Sequence, residues 1–225
     1  MKKYLMSLCA ALVLLVAAEP AKAAILNGGF ETNNFTGWTP NPASGFTFTT
    51  NNAFGHTPIE GNVFAYLQTG AGADVYTTLS QMFTANAGDV LTFNAFFQSD
   101  EFFFGLSAFN DDGYVKIIDS SNVSTILYSN NAIALIGTGN SVSPWTAGTS
   151  GPLSAGTYTI EAGVRNLFDD SFDSRLGLDN VVLSNAGPAS AVPEPATMTM
   201  LGIGVAGMFG FGLRRRRANT EATPA

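Results

Sequence analysis

The chain has 225 residues, a formal net charge of −7 and a single cysteine. One cysteine excludes an internal disulfide framework. The acidic balance argues against a nucleic-acid partner, because such a surface repels a phosphate backbone.

The N-terminus carries Lys2 and Lys3, then an apolar run from Leu5 to Ala18, then Glu19-Pro20 and the small-residue pattern Ala21-Lys22-Ala23. That order is a cleaved secretion signal, predicted to span residues 1–23 with the cut after Ala23 or Ala24. An apolar run of about 14 residues is too short for a membrane span. Cys9 follows Leu8 inside that run rather than standing at a cleavage point, so no lipid anchor is expected there. It leaves with the signal.

Residues 24–184 follow as one predicted domain of ordinary size. Lys116, Arg165 and Arg175 are its basic residues against fourteen acids, a net charge of −11. Val63-Phe64-Ala65-Tyr66-Leu67 is the first clear strand. Val75, Leu79 and Phe83 fall on one parity of the next run. Leu91, Phe93, Ala95 and Phe97 alternate with Thr92, Asn94 and Gln98. Tyr114-Val115-Lys116-Ile117-Ile118 follows, and then Tyr158, Ile160, Ala162 and Val164 alternate with Thr157, Thr159 and Glu161. Period-two patterns of this kind put one strand face into a core. Turn residues separate them at Asn86–Asp89, Asn110–Gly113, Gly137–Asn140 and Ser154–Gly156. No long stretch has helical periodicity. The expected fold is an all-β antiparallel sandwich of jelly-roll type.

Residues 185–191, rich in Ala, Gly, Ser and Pro, form a predicted linker. Val192-Pro193-Glu194-Pro195 comes next, then Thr197 to Leu213, apolar or small throughout, then Arg214, Arg215, Arg216 and Arg217, and a short tail 218–225. Seventeen helical residues would span about 25 Å, and the arginines would snorkel to make up the difference. The arginine cluster fixes that end of the helix in the cytoplasm and leaves the domain outside.

This C-terminal arrangement of residues 192–217 resembles the sorting signal of the PEP-CTERM family of exosortase substrates. The resemblance implies recognition by an exosortase, a membrane-embedded cysteine protease, with cutting near Pro193–Pro195. It implies export by the Sec route, an inner-membrane intermediate held by the C-terminal helix, and delivery to the cell surface or extracellular matrix of a Gram-negative-type bacterium.

The domain resembles galactose-binding-like sandwiches, a group that includes many carbohydrate-binding modules. The residues that carry this are Asn27-Gly28-Gly29-Phe30-Glu31 with Thr36-Gly37-Trp38, Gln81-Met82-Phe83-Thr84, and Gly177-Leu178-Asp179-Asn180-Val181. The resemblance implies that Glu31 and Asp179 meet on neighbouring strands and hold a structural Ca²⁺, with Gly29 as a carbonyl donor and Glu60 as a further ligand. Calcium takes six to eight oxygens, which these residues supply. The plain alternative is a pair of acids capping strand ends.

Two further acidic groups, Asp100-Glu101 with Asp111-Asp112 and Asp169-Asp170 with Asp173, do not have the spacing of a calcium-binding loop and read first as solvated turns. For sugar recognition Trp145, in the loop Ser141–Gly151, and Phe103, in Phe102-Phe103-Phe104, are the candidate exposed aromatics, whereas Trp38 reads as a core anchor. Three consecutive aromatics cannot all face one core. His56, the one histidine, reads as a polar loop residue, and no nucleophile motif surrounds a serine. The expectation is therefore a non-enzymatic surface or matrix protein, adhesive or polysaccharide-associated. A secreted polysaccharide hydrolase and a matrix protein without specific ligand are the alternatives.

Overall fold

The computed structural model describes residues 24–41, 45–70, 72–101 and 109–185. The predicted signal, sorting motif and C-terminal helix lie outside these residues, as does Phe103. Among the described residues no helix is long and apolar enough to cross a membrane.

The chain forms β1 (Thr39–Asn41), β2 (Phe46–Thr50), β3 (Phe64–Gln68), β4 (Thr77–Ala85), β5 (Asp89–Ser99), β6 (Asp112–Asp119), β7 (Ser124–Asn131), α1 (Ala132–Thr138), β8 (Thr146–Pro152), β9 (Gly156–Arg165) and β10 (Ser174–Asn185). The strands build two five-stranded sheets, β1-β4-β9-β6-β7 and β2-β3-β10-β5-β8. Each ladder is antiparallel. This is the antiparallel sandwich that the alternation predicts.

The core lies between the sheets, and the predicted parities supply it. Leu91, Phe93, Ala95 and Phe97 of β5 point inward with Leu176 and Leu178 of β10, and meet Leu79 and Phe83 of β4 and Ile160, Ala162 and Val164 of β9. Trp38 is buried in the same core as expected, and its indole Nε1 donates to the carbonyls of Leu26 and Asn27. Gln81, inward on β4 among these hydrophobes, is buried because it is fully used. Its Oε1 accepts from Leu26 N at 2.7 Å and its Nε2 donates to Leu26 O at 2.9 Å, tying the N-terminal segment to the sheet.

Two local expectations need correction. Val75 is exposed and precedes β4, because the chain at Asp74 takes a positive φ of 61° before the strand begins. Gly137–Asn140 ends a helix rather than joining strands: Asn131 caps α1 by accepting from Ala134 N, and Gly139 closes it at φ 73°.

Candidate functional site

The outer face of the β2-β3-β10-β5-β8 sheet is built as a second, smaller hydrophobic cluster. Phe64 and Tyr66 of β3 and Phe96 of β5 are buried there, with Ala53, Val142 and Trp145 packed against them. The strand register sets the row: Phe48 of β2 lies opposite Tyr66, Tyr66 opposite Gly177 of β10, and Gly177 opposite Phe96. Gly177 is required at the centre, since a Cβ there would sit 2.0 Å from the Phe96 ring. The missing side chain is the room in which Phe96 lies.

A tight turn covers one end of this row. Ala53 and His56 exchange backbone hydrogen bonds, and the two residues between them, Phe54 and Gly55, both have positive φ, 51° and 81°. A bulky side chain at positive φ is costly. At Phe54 the strained backbone delivers a ring stacked on Tyr66, 6.5 Å between centroids, and left 46% exposed. His56 stacks on Phe96 at 4.3 Å, and its Nε2 lies 3.0 Å from Ser143 O, so that nitrogen carries the proton. Burial lowers the His56 pKa below its usual value and keeps the ring neutral. Trp145 stands edge-on to Phe64 and Phe96 and donates from Nε1 to Thr57 O at 3.0 Å. It is half-buried, not a free loop aromatic.

Beyond the turn the face is open and mixed. Phe46 and Phe48 of β2 are 61% and 44% exposed. Beside them runs a polar strip. Arg175 donates to Gln98 Oε1 and Asp173 O and pairs with Asp100, while Gln98 donates to Asp100 and Gln68 donates to Asp173. The Arg175 guanidinium also lies over the Phe54 ring, 5.4 Å from its centroid. Burial pushes the Tyr66 hydroxyl up to about 12.

Phe48, Phe54, Tyr66, Phe96 and Arg175 do not stand out singly in the sequence. The signal that marks them is apolar residues on both parities of one strand, as in Phe64-Ala65-Tyr66-Leu67 and Phe96-Phe97. One sheet face cannot bury both sets.

Of the predicted metal residues, Asp179 lies on β10 and Glu31 in a turn of the first segment rather than on a strand, and the carboxylates of both bond the backbone of the 59–63 loop. Asp179, fully buried on β10, accepts from Ile59 N (2.7 Å) and Glu60 N (3.1 Å) on Oδ2 and from Asn180 N (2.7 Å) on Oδ1. Exposed Glu31 accepts from Asn62 N (2.8 Å) and Val63 N (3.1 Å) on Oε1 and from Asn62 Nδ2 on Oε2. Gly61 is needed between them, because a Cβ there would fall 2.2 Å from the Glu31 carboxyl. Glu60 Oε2 approaches Gly29. The two acids thus clasp the 59–63 loop to the first segment and the last strand. One oxygen of each accepts from two N–H donors. Among the described residues no three of His, Cys, Asp and Glu lie close enough to share a metal ion.

No curated protein matches the chain. Among solved structures it is similar to TmCBM61 in complex with beta-1,4-galactotriose, at 14% identity over 73% of this chain and 99% of that one, TM-score 0.45. It is similar to the CBM22-1 xylan-binding domain of Paenibacillus barcinonensis Xyn10C, at 12% identity over 77% and 100%, TM-score 0.42. It is also similar to the K1 cleaved adhesin domain of Lys-gingipain from Porphyromonas gingivalis W83, at 21% identity over 71% and 96%, TM-score 0.45. These likenesses concern the fold alone. At the C-terminus residues 191–217 match the family model for the PEP-CTERM protein-sorting motif, and this chain, with Val192-Pro193-Glu194-Pro195 and the four arginines inside the match, carries that motif.

Proposed function

We propose that the protein is exported, sorted by an exosortase to the cell surface or matrix, and holds neutral polysaccharide on the outer face of the β2-β3-β10-β5-β8 sheet. The observation that supports it is the pairing on one open face of exposed rings, Phe46, Phe48 and Phe54, with the Asp100 and Asp173 carboxylates that Arg175 holds in place. A sugar ring offers an apolar C–H face and a rim of hydroxyls, and recognition needs a flat aromatic surface beside fixed donors and acceptors. The strip is held by its own internal bonds, so its geometry is set before a ligand arrives. A net charge of −11 on the domain disfavours anionic polymers, which makes a neutral glycan the better partner.

Binding rather than catalysis fits this face. Asp100 is ion-paired to Arg175, and the His56 nitrogen that faces Ser143 O is already engaged. The test is affinity electrophoresis of the full chain through gels containing neutral exopolysaccharide. Retardation should be lost in a Phe48→Ala, Phe54→Ala double variant and kept in Met82→Ala, whose exposed side chain lies on the other sheet. Equal retardation of all three would refute the platform, and a fall in polymer size would replace binding with hydrolysis. Sorting is checked separately: replacing Pro193-Glu194-Pro195 by alanines should leave a larger form retained in the inner membrane.

A further inference from the structure

Acids from three separate stretches converge at the end of the sandwich where β5 stops and β6 and β10 begin. Glu101 follows β5, Asp111 precedes β6, and Asp169 lies between β9 and β10. Glu101 and Asp111 are both fully buried. Asp111 is well supplied: Oδ1 accepts from Leu167 N at 2.9 Å and Oδ2 from Ser174 Oγ at 2.7 Å. Glu101 is not. Its backbone N–H is held by Ser99 Oγ at 3.2 Å, yet neither of its carboxylate oxygens has a hydrogen-bond partner among the described residues. Ser99 lies directly opposite Ser174, which places the Glu101 backbone beside the residue that serves Asp111. Asn166, next to Leu167 and also fully buried, leaves its side-chain Oδ1 without a donor among the described residues.

The three orphaned atoms here are oxygen acceptors, and the positive charges close by, Arg175 and Arg165, are already paired with Asp100 and Asp112. Burying such a group without compensation is expensive, so a fold that does so has a cation or a proton to offset it. A proton on Glu101 would serve only one of its two oxygens. A cation uses both oxygens.

We propose that this end of the sandwich binds a calcium ion through the carboxylates of Glu101 and Asp111, with carbonyl oxygens, Asn166 Oδ1 first among them, and water completing the shell. The donor set is all oxygen, which suits a hard cation, and it comes from irregular chain, which suits calcium better than the strict octahedron of magnesium. Two carboxylates rather than three or four give modest affinity, in the range of about 10⁻⁴–10⁻³ M used by extracellular modules. This site is separate from the Glu31–Asp179 clasp.

The test is thermal unfolding of the full chain, stripped with a chelator and then given calcium or magnesium chloride at about 10 mM, above that affinity range. Calcium should raise the melting temperature by several degrees and magnesium by clearly less. Glu101→Gln should lose the calcium-selective rise and melt higher than wild type in chelator, because a neutral amide removes the buried charge. Asp111→Asn should lose the selective rise as well, and the milder Asp169→Asn should weaken calcium binding several-fold in a titration if either buried variant fails to fold. Glu31→Gln should keep the full response. Equal shifts from the two ions, a selective rise that survives in Glu101→Gln or, should the buried variants not fold, an unweakened Asp169→Asn, or a response lost with Glu31→Gln, would overturn the assignment.

Discussion

Replacing Gly177 by alanine tests whether the outer face is a packed aromatic layer. The added Cβ would meet Phe96 Cε1 at 2.0 Å, Cδ1 at 2.5 Å and Cζ at 2.6 Å. Carbon atoms rest at about 3.5–4.0 Å, so the ring must retreat by roughly 1.5 Å. It has nowhere to go: His56 stacks at 4.3 Å, Trp145 stands at 4.6 Å and Phe64 at 5.8 Å. Overpacking of this kind costs about 1–3 kcal/mol, offset by up to about 1 kcal/mol because alanine orders more cheaply than glycine in a strand. A net loss of about 1–2 kcal/mol lowers the melting temperature of a domain this size by roughly 2–8 °C. The assay is thermal unfolding followed by tryptophan emission, which also reports on displaced Trp145. A double-mutant cycle makes the cause specific. In a Phe96→Ala background the clash is gone and only the ordering gain remains, so Gly177→Ala should be neutral to slightly stabilising there, a coupling of about 1–3 kcal/mol. If Gly177→Ala costs the same in both backgrounds, ring contact is not the reason for the glycine.

Two further outcomes follow from the same structure. Asp179→Ala strands three backbone N–H groups inside the protein and should cost at least about 3 kcal/mol in denaturant unfolding, whereas Glu31→Ala should cost far less because water reaches the N–H groups of Asn62 and Val63; equal losses would mean that the clasp does not depend on burial. The His56 pKa is lowered by burial, so its neutral form contributes stability that is intact above the ordinary histidine value of 6.5 and is lost as pH falls through the folded value. Glu101 and Asp111, whose pKa values are raised, titrate nearby with opposite sign. The difference between wild type and His56→Phe therefore isolates the effect, and a difference that does not shrink as pH falls below 6.5 would refute it.

The sandwich was legible because its inner faces obey period two almost without exception. Leu91 to Phe97 and Ile160 to Val164 point inward as their alternation predicts. That Glu31 and Asp179 both bond one loop was not legible: Ile59 to Val63 contributes backbone N–H groups, which no side-chain pattern announces. Trp145 read as a free loop aromatic because its sequence neighbours are Ser, Pro and Gly. The contacts that half-bury it come from Phe64, Phe96 and Thr57, none of them nearby in sequence. Gly177 stands in the sequence only as the first residue of the Gly177–Val181 motif, and its purpose appears only once Phe96 is seen across the ladder.

The two outer faces of the sandwich met the same folding requirement and answered it differently. On the β1-β4-β9-β6-β7 sheet the outward side chains include Thr78, Ser80, Thr84, Thr159, Lys116 and Glu161, with Lys116 and Glu161 paired at 2.9 Å, Tyr114 donating to Glu161, and Met82, Ile118 and Ile126 as scattered apolar exceptions. That is the ordinary solution for an antiparallel sheet with one wet face. On the other sheet the outward face carries Phe46, Phe48, Phe64, Tyr66 and Phe96, and needs a strained turn, a glycine notch and Trp145 to cover part of it. Folding does not require this, since the polar solution was open to both sheets. The covering also stops short, leaving Phe46, Phe48 and Phe54 beside a pre-set polar strip. An exposed aromatic patch that a fold maintains at a cost, next to fixed donors and acceptors, is what a binding surface requires and a filler does not.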